Sequence, residues 1–270
     1  MTKAIRMMQD QIALVDSVVY VLDARAPLSC VNPAFEPVIG AKPRLYVLNK
    51  ADLVEKEALT GWLKYFKNYG EVLFANSASK QDAVRLKDAL LKVNADIIER
   101  YRQKGVSKTV RAMVIGVPNS GKSTLINSLT KEKKAVTGNR PGVTRGKQWV
   151  AIDRYVELLD SPGVLYPDFK DQEKAVRLAL LGSVKEEVVD AAELALEEIK
   201  FLQKAYPETL TARYGVSAEG EALTVMEEIC KKRGYLMRGG DFDYERTAHT
   251  LISDFRKGYL GKIILEKAGN

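Results

Sequence analysis

Apolar positions follow two regimes along the chain. Up to about residue 163, short β-branched or aliphatic runs alternate with stretches of helical periodicity. Residues 17–23 (SVVYVLD), 44–48 (RLYVL), 71–75 (EVLFA) and 110–116 read as strands, the last running into a Gly-rich turn. Between them, 55–67 carries a helical stripe through Leu59, Leu63 and Phe66. Residues 82–101 predict one long amphipathic helix with Val84, Leu86, Leu90, Val93 and Ile97 on its apolar face. Residues 103–108 form a polar connection, and a helix is expected over about 122–129. The stretch 138–147 (GNRPGVTRGK) is a loop by composition, and 148–152 with 155–160 predicts a strand pair. From about Gln172 only helical periodicity remains, interrupted at Pro207, Gly215, Gly234 and Gly239-Gly240. Strands alternating with helices, then helices alone, imply a parallel-sheet α/β domain over 1–170 and an all-helical domain over 171–270.

Charge sharpens this division. The 270 residues carry a net charge of +7. Residues 175–270 hold 14 Lys+Arg against 16 Asp+Glu, so the first 174 residues carry the excess. Two segments are strongly basic. One is 131–154, with Lys131, Lys133, Lys134, Arg140, Arg145, Lys147 and Arg154; the other is 231–270. Such an excess suggests a polyanionic partner; the alternative is two solvated faces. Cys30 and Cys230 lack metal-ligand spacing and are expected to be reduced thiols. Without a signal-peptide pattern or a membrane-length apolar run, a cytoplasmic, membrane-free protein is expected, as a monomer.

The chemistry concentrates in four short motifs. GVPNSGKS (116–123) fits the phosphate-loop pattern between a strand and a helix. By chance it should occur in about one chain of this length in a hundred. The loop Pro118, Asn119, Ser120, Gly121, Lys122, Ser123 and Thr124 would wrap the phosphates, with the backbone N–H groups after Pro118 pointing at phosphate oxygens. Lys122 would reach the β- and γ-phosphates and Ser123 would ligate Mg²⁺. DSPG (160–163) follows an apolar strand; Asp160 would hold Mg²⁺ through water, and the Gly163 N–H would sense the γ-phosphate. NKAD (49–52) follows another strand. The Asp52 carboxylate can accept from both the ring N–H and the exocyclic amine of guanine, which selects GTP over ATP. Asn49 and Lys50 would brace the phosphate loop and cover the base, although Asp52 could instead cap the following helix. NSAS (76–79) is a weaker signal, placing Ser77, Ala78 and Ser79 near the guanine carbonyl.

Their order is unusual: base-recognition motifs precede the phosphate loop, and DSPG comes last. With VVYVLDARAPLSCVNP, YVLNKADL, GVPNSGKSTLINSL, PGVT (141–144), LLDSPGVLYP and KKRGYLMRGGDFDYERTAHTLISDFRKGYLGKI, the chain resembles the circularly permuted ribosome-biogenesis GTPase A family over nearly its whole length. The resemblance implies a permuted Ras-like P-loop GTPase domain followed by a small all-helical C-terminal domain that contacts ribosomal RNA of the large subunit. It also implies that Thr144 closes over Mg²⁺ and the γ-phosphate, joining Lys122 and Gly163 at the reacting group. Permutation is physically reasonable because domain termini often lie close together. It also lets the segment after Asp160 lead directly into the helices, so γ-phosphate loss could reorient them.

Two departures temper the activity expected. Val164 stands where Ras-like enzymes carry a water-orienting Gln, a replacement the family shares. Relatives begin with a histidine-bearing segment proposed to assist hydrolysis; this chain starts at MTKA, where that segment would end, and His249 lies far away in the sequence. Slow intrinsic hydrolysis is therefore expected. Asn119 either helps hold a K⁺ ion between the phosphates or only braces its loop. Asp23 and Arg25 have no evident chemistry, and bracing of the switch region is the expectation. The leading function is a GTPase that binds pre-ribosomal RNA in its GTP state, with Lys133, Lys134, Arg145 and Lys147 on one side and Lys231, Lys232, Arg233 and Arg256 on the other. Alternatives are a GTP-dependent RNA-binding module with negligible hydrolysis, and, weaker, a metabolic kinase.

Overall fold

The computed structural model describes residues 3–77, 79–129, 148–161, 163–165 and 171–269. Ala78, Thr144, Pro162 and the basic positions Lys131, Lys133, Lys134, Arg140, Arg145 and Lys147 lie outside the described residues. The chain divides into two compact units, Met1–Phe169 with Ile264–Asn270, and Lys170–Ile263. The expectation divided the chain at residues 170 and 171. Ile264–Asn270 group with the first unit, whereas the expectation placed all of 171–270 in the helical domain.

Among the described residues the first unit holds a six-stranded sheet. Its strands are β1 (Ser17–Asp23), β2 (Arg44–Asn49), β3 (Glu71–Ala75), β4 (Val110–Ile115), β5 (Gln148–Ala151) and β6 (Val156–Asp160). They lie in the order β3-β2-β1-β4-β6-β5, all parallel except β5, which pairs antiparallel with β6 at the edge. The strand feeding the phosphate loop, β4, is central. Strands before it in sequence flank it on one side, and strands after it on the other. This is the circularly permuted Ras-like α/β sheet.

Its helices are α1 (Lys3–Ile12), α2 (Pro27–Cys30), α3 (Glu36–Ile39), α4 (Lys56–Lys67), α5 (Lys80–Val93), α6 (Ala95–Gln103) and α7 (Lys122–Leu129). On one face of the sheet Val19, Val21, Leu45, Val47, Ala112 and Val114 share a core with Leu86, Leu90, Leu125 and Ile126. The other face is aromatic: Tyr20 lies 5.6 Å from Phe35 and Tyr46 4.9 Å from Phe66, ring to ring. Every residue of β1 is therefore buried, which is why the central strands read as continuous apolar runs rather than alternating ones.

The expected helix over 82–101 is two helices, α5 and α6. The break is Asn94, whose buried amide donates to Ser17 Oγ (2.9 Å) and Leu90 O (2.8 Å). That side chain serves β1 at the cost of helix continuity. Val84, assigned to the apolar stripe, is exposed, while Leu86 and Leu90 are buried. The helix over 55–67 buries Trp62 beside Leu59 and Phe66.

The second unit contains α8 (Gln172–Leu180), α9 (Ala191–Ala205), α10 (Pro207–Tyr214), α11 (Ala222–Arg233) and α12 (Tyr244–Lys257). Asp171, Asp190 and Asp243 cap the N-termini of α8, α9 and α12 through their side chains. Leu194, Ile199, Leu202, Val225, Ile229 and Leu251 are buried in its core. One core position of α9 is a carboxylate, Glu198, 1% exposed.

Candidate functional site

The parallel strands end at one edge of the sheet, and each sequence motif begins where a strand stops. ARAP follows β1, NKAD closes β2, NSAS follows β3, the phosphate loop follows β4, and Asp160 ends β6. In an open parallel sheet this carboxyl edge is where ligands bind.

Asn49 ties two of these loops to a third. Its side-chain oxygen accepts from the Ser77 N–H (2.9 Å) and its amide donates to Ser120 O (2.8 Å). A single buried side chain thus connects NKAD, NSAS and the phosphate loop. Gly121 permits this, because a Cβ there would overlap the Asn49 amide. Lys50 adopts a left-handed backbone (φ 59°), a conformation that costs a non-glycine residue about 1–2 kcal/mol. It is held by Nζ donating to Asn119 O (3.2 Å) and pairing with Asp23 Oδ2 (2.7 Å). Asp52 is exposed in a 3₁₀ turn (Ala51–Leu53), and its carboxylate makes no hydrogen bond among the described residues. The residue before α4 is Glu55, so Asp52 does not cap that helix. Ser79, by contrast, caps α5 by accepting from the Asp82 N–H, and the Asp82 carboxylate accepts from the Asn76 N–H (2.8 Å).

In the phosphate loop Pro118 and Ser120 are buried, Asn119 is half-buried with φ 58°, and Gly121 leads into α7. Ser123 is half-buried and Thr124 exposed in the first turn of that helix. Lys122 is 6% exposed and folds back on its own loop, donating to Gly116 O (3.1 Å) and Val117 O (2.8 Å). Burial pushes its ammonium pKa down to about 8, with the Asp160 carboxylate opposing the shift. A cation held by two carbonyls in a desolvated loop favours an anion beside it. Gly163 lies against it, since a Cβ there would sit 3.0 Å from both Lys122 Nζ and Pro118 Cα. Asp160 is buried at the end of β6. The hydroxyl of Ser123 and the carboxylate of Asp160 are the hard oxygen donors that Mg²⁺ prefers. Among the described residues no group of three or more His, Cys, Asp or Glu is arranged to hold a metal. An ion here would take most ligands from phosphate and water, as Mg²⁺ commonly does.

The segment 24–33 begins at a buried ion pair. Arg25 and Asp23, each 1% exposed, are joined by Nε–Oδ1 and Nη2–Oδ2 bonds of 2.9 Å. Burial works against the Asp23 charge, yet Arg25 and Lys50 outweigh it and hold the carboxyl well below the usual carboxylate range. Through Lys50 the pair is tied to the NKAD loop. Among the described residues, Asn32 reaches the switch side, donating to Val164 O (3.2 Å). Val164 is buried, and its N–H donates to Gly116 O (3.4 Å), so its side chain offers nothing to orient water. An Asp-x-Arg directly after a wholly apolar strand was the available signal for this network.

The family described as 50S ribosome-binding GTPase matches residues 111–213. The chain is similar to a Bacillus cereus protein named ribosome biogenesis GTPase A, 39% identical, with 98% of this chain and 91% of that protein covered. Its namesake from Bacillus licheniformis is 38% identical over 99% of this chain and 95% of its own length. The crystal structure of GNP-bound YlqF from T. maritima superposes with a TM-score of 0.69 at 26% identity, covering 100% of both chains.

The chain belongs to the ribosome biogenesis GTPase A family.

Family membership makes the permuted motif order a property of a known fold. His249 is exposed on α12, 3.9 Å from Glu245. Of the basic positions in the helical unit, Lys231, Lys232 and Arg233 are exposed in the last turn of α11. Arg256 departs from expectation: its guanidinium donates to Leu180 O and Ala179 O (both 3.0 Å) and so caps α8 instead of facing outward with the other basic residues. Among the described residues no helix is long and apolar enough to cross a membrane.

Proposed function

We propose that this chain binds GTP with Mg²⁺, hydrolyses it slowly, and acts as a GTP-dependent assembly factor on the large ribosomal subunit. The observation that carries the nucleotide reading is the Asn49 side chain. It bonds the NKAD loop to both NSAS and the phosphate loop, so base and phosphate recognition form one rigid edge. In this reading Asp52 accepts from guanine, Asn49 and Lys50 hold the base loop, and Ser77, Ala78 and Ser79 border the base. Residues 118–124 wrap the phosphates, with Lys122 neutralising them. Ser123, Thr144 and Asp160 hold Mg²⁺, and Gly163 meets the γ-phosphate. When bound, the ion neutralises charge developing on the phosphate oxygens.

The ribosomal reading is supported by the relatives' names and by the charge distribution. The segment 131–154 and the exposed Lys231, Lys232 and Arg233 are proposed to grip ribosomal RNA phosphates, so affinity should fall steeply with salt. Asn119 is proposed to contribute to a K⁺ site between the phosphates. Faster turnover in potassium than in sodium, lost in Asn119→Ala, supports that role, whereas equal rates leave Asn119 as a loop brace. A cytoplasmic monomer is the expected working form. The decisive experiment is GTP turnover with and without large ribosomal subunits. Stimulation supports the assembly GTPase. Subunit binding that depends on GTP without any turnover favours the RNA-binding module.

A further inference from the structure

Residues 264–269 belong to the α/β unit, although they follow the helical unit in sequence. Their contacts are specific. The Leu265 N–H donates to Arg25 O (2.8 Å), and Leu265 is buried. The Glu266 carboxylate accepts from the Ser29 N–H (3.0 Å) through one oxygen and from Ser29 Oγ (2.7 Å) through the other. Ala268 lies against α4, where a Cβ added to Gly61 would sit 3.2 Å from its own Cβ. Helix α4 directly follows the NKAD turn.

These contacts continue into the nucleotide edge without a gap. Arg25, gripped at its carbonyl by Leu265, grips Asp23 with its guanidinium. Asp23 pairs with Lys50 Nζ, and Lys50 reaches Asn119 O in the phosphate loop. Because Lys50 is held in a left-handed conformation, its loop depends on these partners to keep its shape. Asp23 is buried, so it cannot exchange Arg25 or Lys50 for water without a large desolvation cost.

We propose that segment 264–269 is a strap that fixes the guanine-recognition loop, with Glu266, Ser29, Arg25 and Asp23 as positioning residues for base selectivity. The proposal rests on the reading of NKAD as the guanine site. The strap touches neither base nor phosphate; it acts by restricting where Lys50 and Asp52 stand. Losing it should weaken base-specific contacts and leave the phosphate loop intact.

The test uses the full chain and compares Kd for GDP with Kd for IDP, which lacks the exocyclic amine that Asp52 would accept from. Glu266→Ala and Leu265→Pro, which removes the donor to Arg25 O, should each weaken GDP about tenfold. Each should shrink the GDP-over-IDP preference at least threefold. Glu266→Gln keeps an acceptor for Ser29 and should recover most of that preference. Glu266 is half-buried at the periphery, so its variants should fold, as a melting curve would verify. An unaltered preference in folded Glu266→Ala and Leu265→Pro overturns the strap, even if melting temperature drops. Asp52→Asn is measured alongside. If it abolishes the preference while the strap variants keep it, the strap alone fails; if it too leaves the preference unchanged, the guanine reading fails and takes the strap with it.

Discussion

Asp23 at the end of β1 and Glu198 in the middle of α9 are both 1% exposed, and their surroundings push them in opposite directions. Asp23 is paired with Arg25 and Lys50, which outweigh burial and keep it ionised. Among the described residues Glu198 has no hydrogen-bond partner on either oxygen. Burial, reinforced by Asp254 and only partly offset by Arg256, pushes its pKa up to about 8. Burial itself therefore does not decide ionisation; the partners available at the site do. Lys122 stands between the two cases. It is a buried cation whose ammonium, among the described residues, donates to two carbonyls, and a phosphate would bring it an opposite charge.

The largest effect should come from removing that cation. Lys122→Met keeps the volume and should lower GTP affinity at least about 100-fold, or about 3 kcal/mol. The nucleotide-free protein should melt no lower than the parent, because a desolvated ammonium is gone. Calorimetric titration and a melting curve check both halves; parental affinity would remove Lys122 from the site. Asp52→Asn exchanges an acceptor for a donor. GTP binding should weaken about 30-fold or more while xanthosine nucleotides gain. Undiminished GTP binding would leave Asp52 a mere surface carboxylate.

Glu198→Gln tests the other side of the comparison. A carboxyl with a raised folded pKa binds more protons folded than unfolded between its ordinary value of 4.5 and about 8. Stability is thus lost as pH rises through that window. The neutral isostere should remove this penalty, stabilising the helical unit by on the order of 1–2 kcal/mol at pH 8 and by almost nothing at pH 4. Denaturant unfolding at both values would show it, and equal gains at both would contradict the assignment. The mildest effect is that of pH on nucleotide binding. Bound phosphates should raise the Lys122 pKa above its free value of about 8. Affinity should then be full below pH 8 and fall above it, by at most tenfold per pH unit. A flat profile from pH 6.5 to 8.8 would mean that Lys122 stays charged without nucleotide.

Much of this architecture is legible in the chain. The runs 17–23, 44–48 and 110–116 become central strands because both faces of a parallel sheet are covered, which keeps their interior positions almost wholly apolar. The motifs could be placed at strand ends for the same reason, since each interrupts an apolar run. Other features depended on distant partners. The stop at Asn94 needs Ser17, 77 residues away. Val84 sits on the helical stripe by periodicity yet is exposed, while Leu86 and Leu90 are buried. Arg256 reads as one more basic residue until the α8 carbonyls are placed beside it.

By itself the sequence determined the order of elements, the permuted motif series and the residue types able to meet phosphate, guanine and Mg²⁺. These are local properties, set by periodicity and by spacing within a single turn. Only the tertiary structure decided that Asp23 and Arg25 serve Lys50, that Asn49 joins three loops, and that residues 264–269 return to Ser29, 237 positions earlier. Hydrogen bonds and ion pairs are fixed by distances of about 3 Å, and chain separation carries no information about which groups come that close.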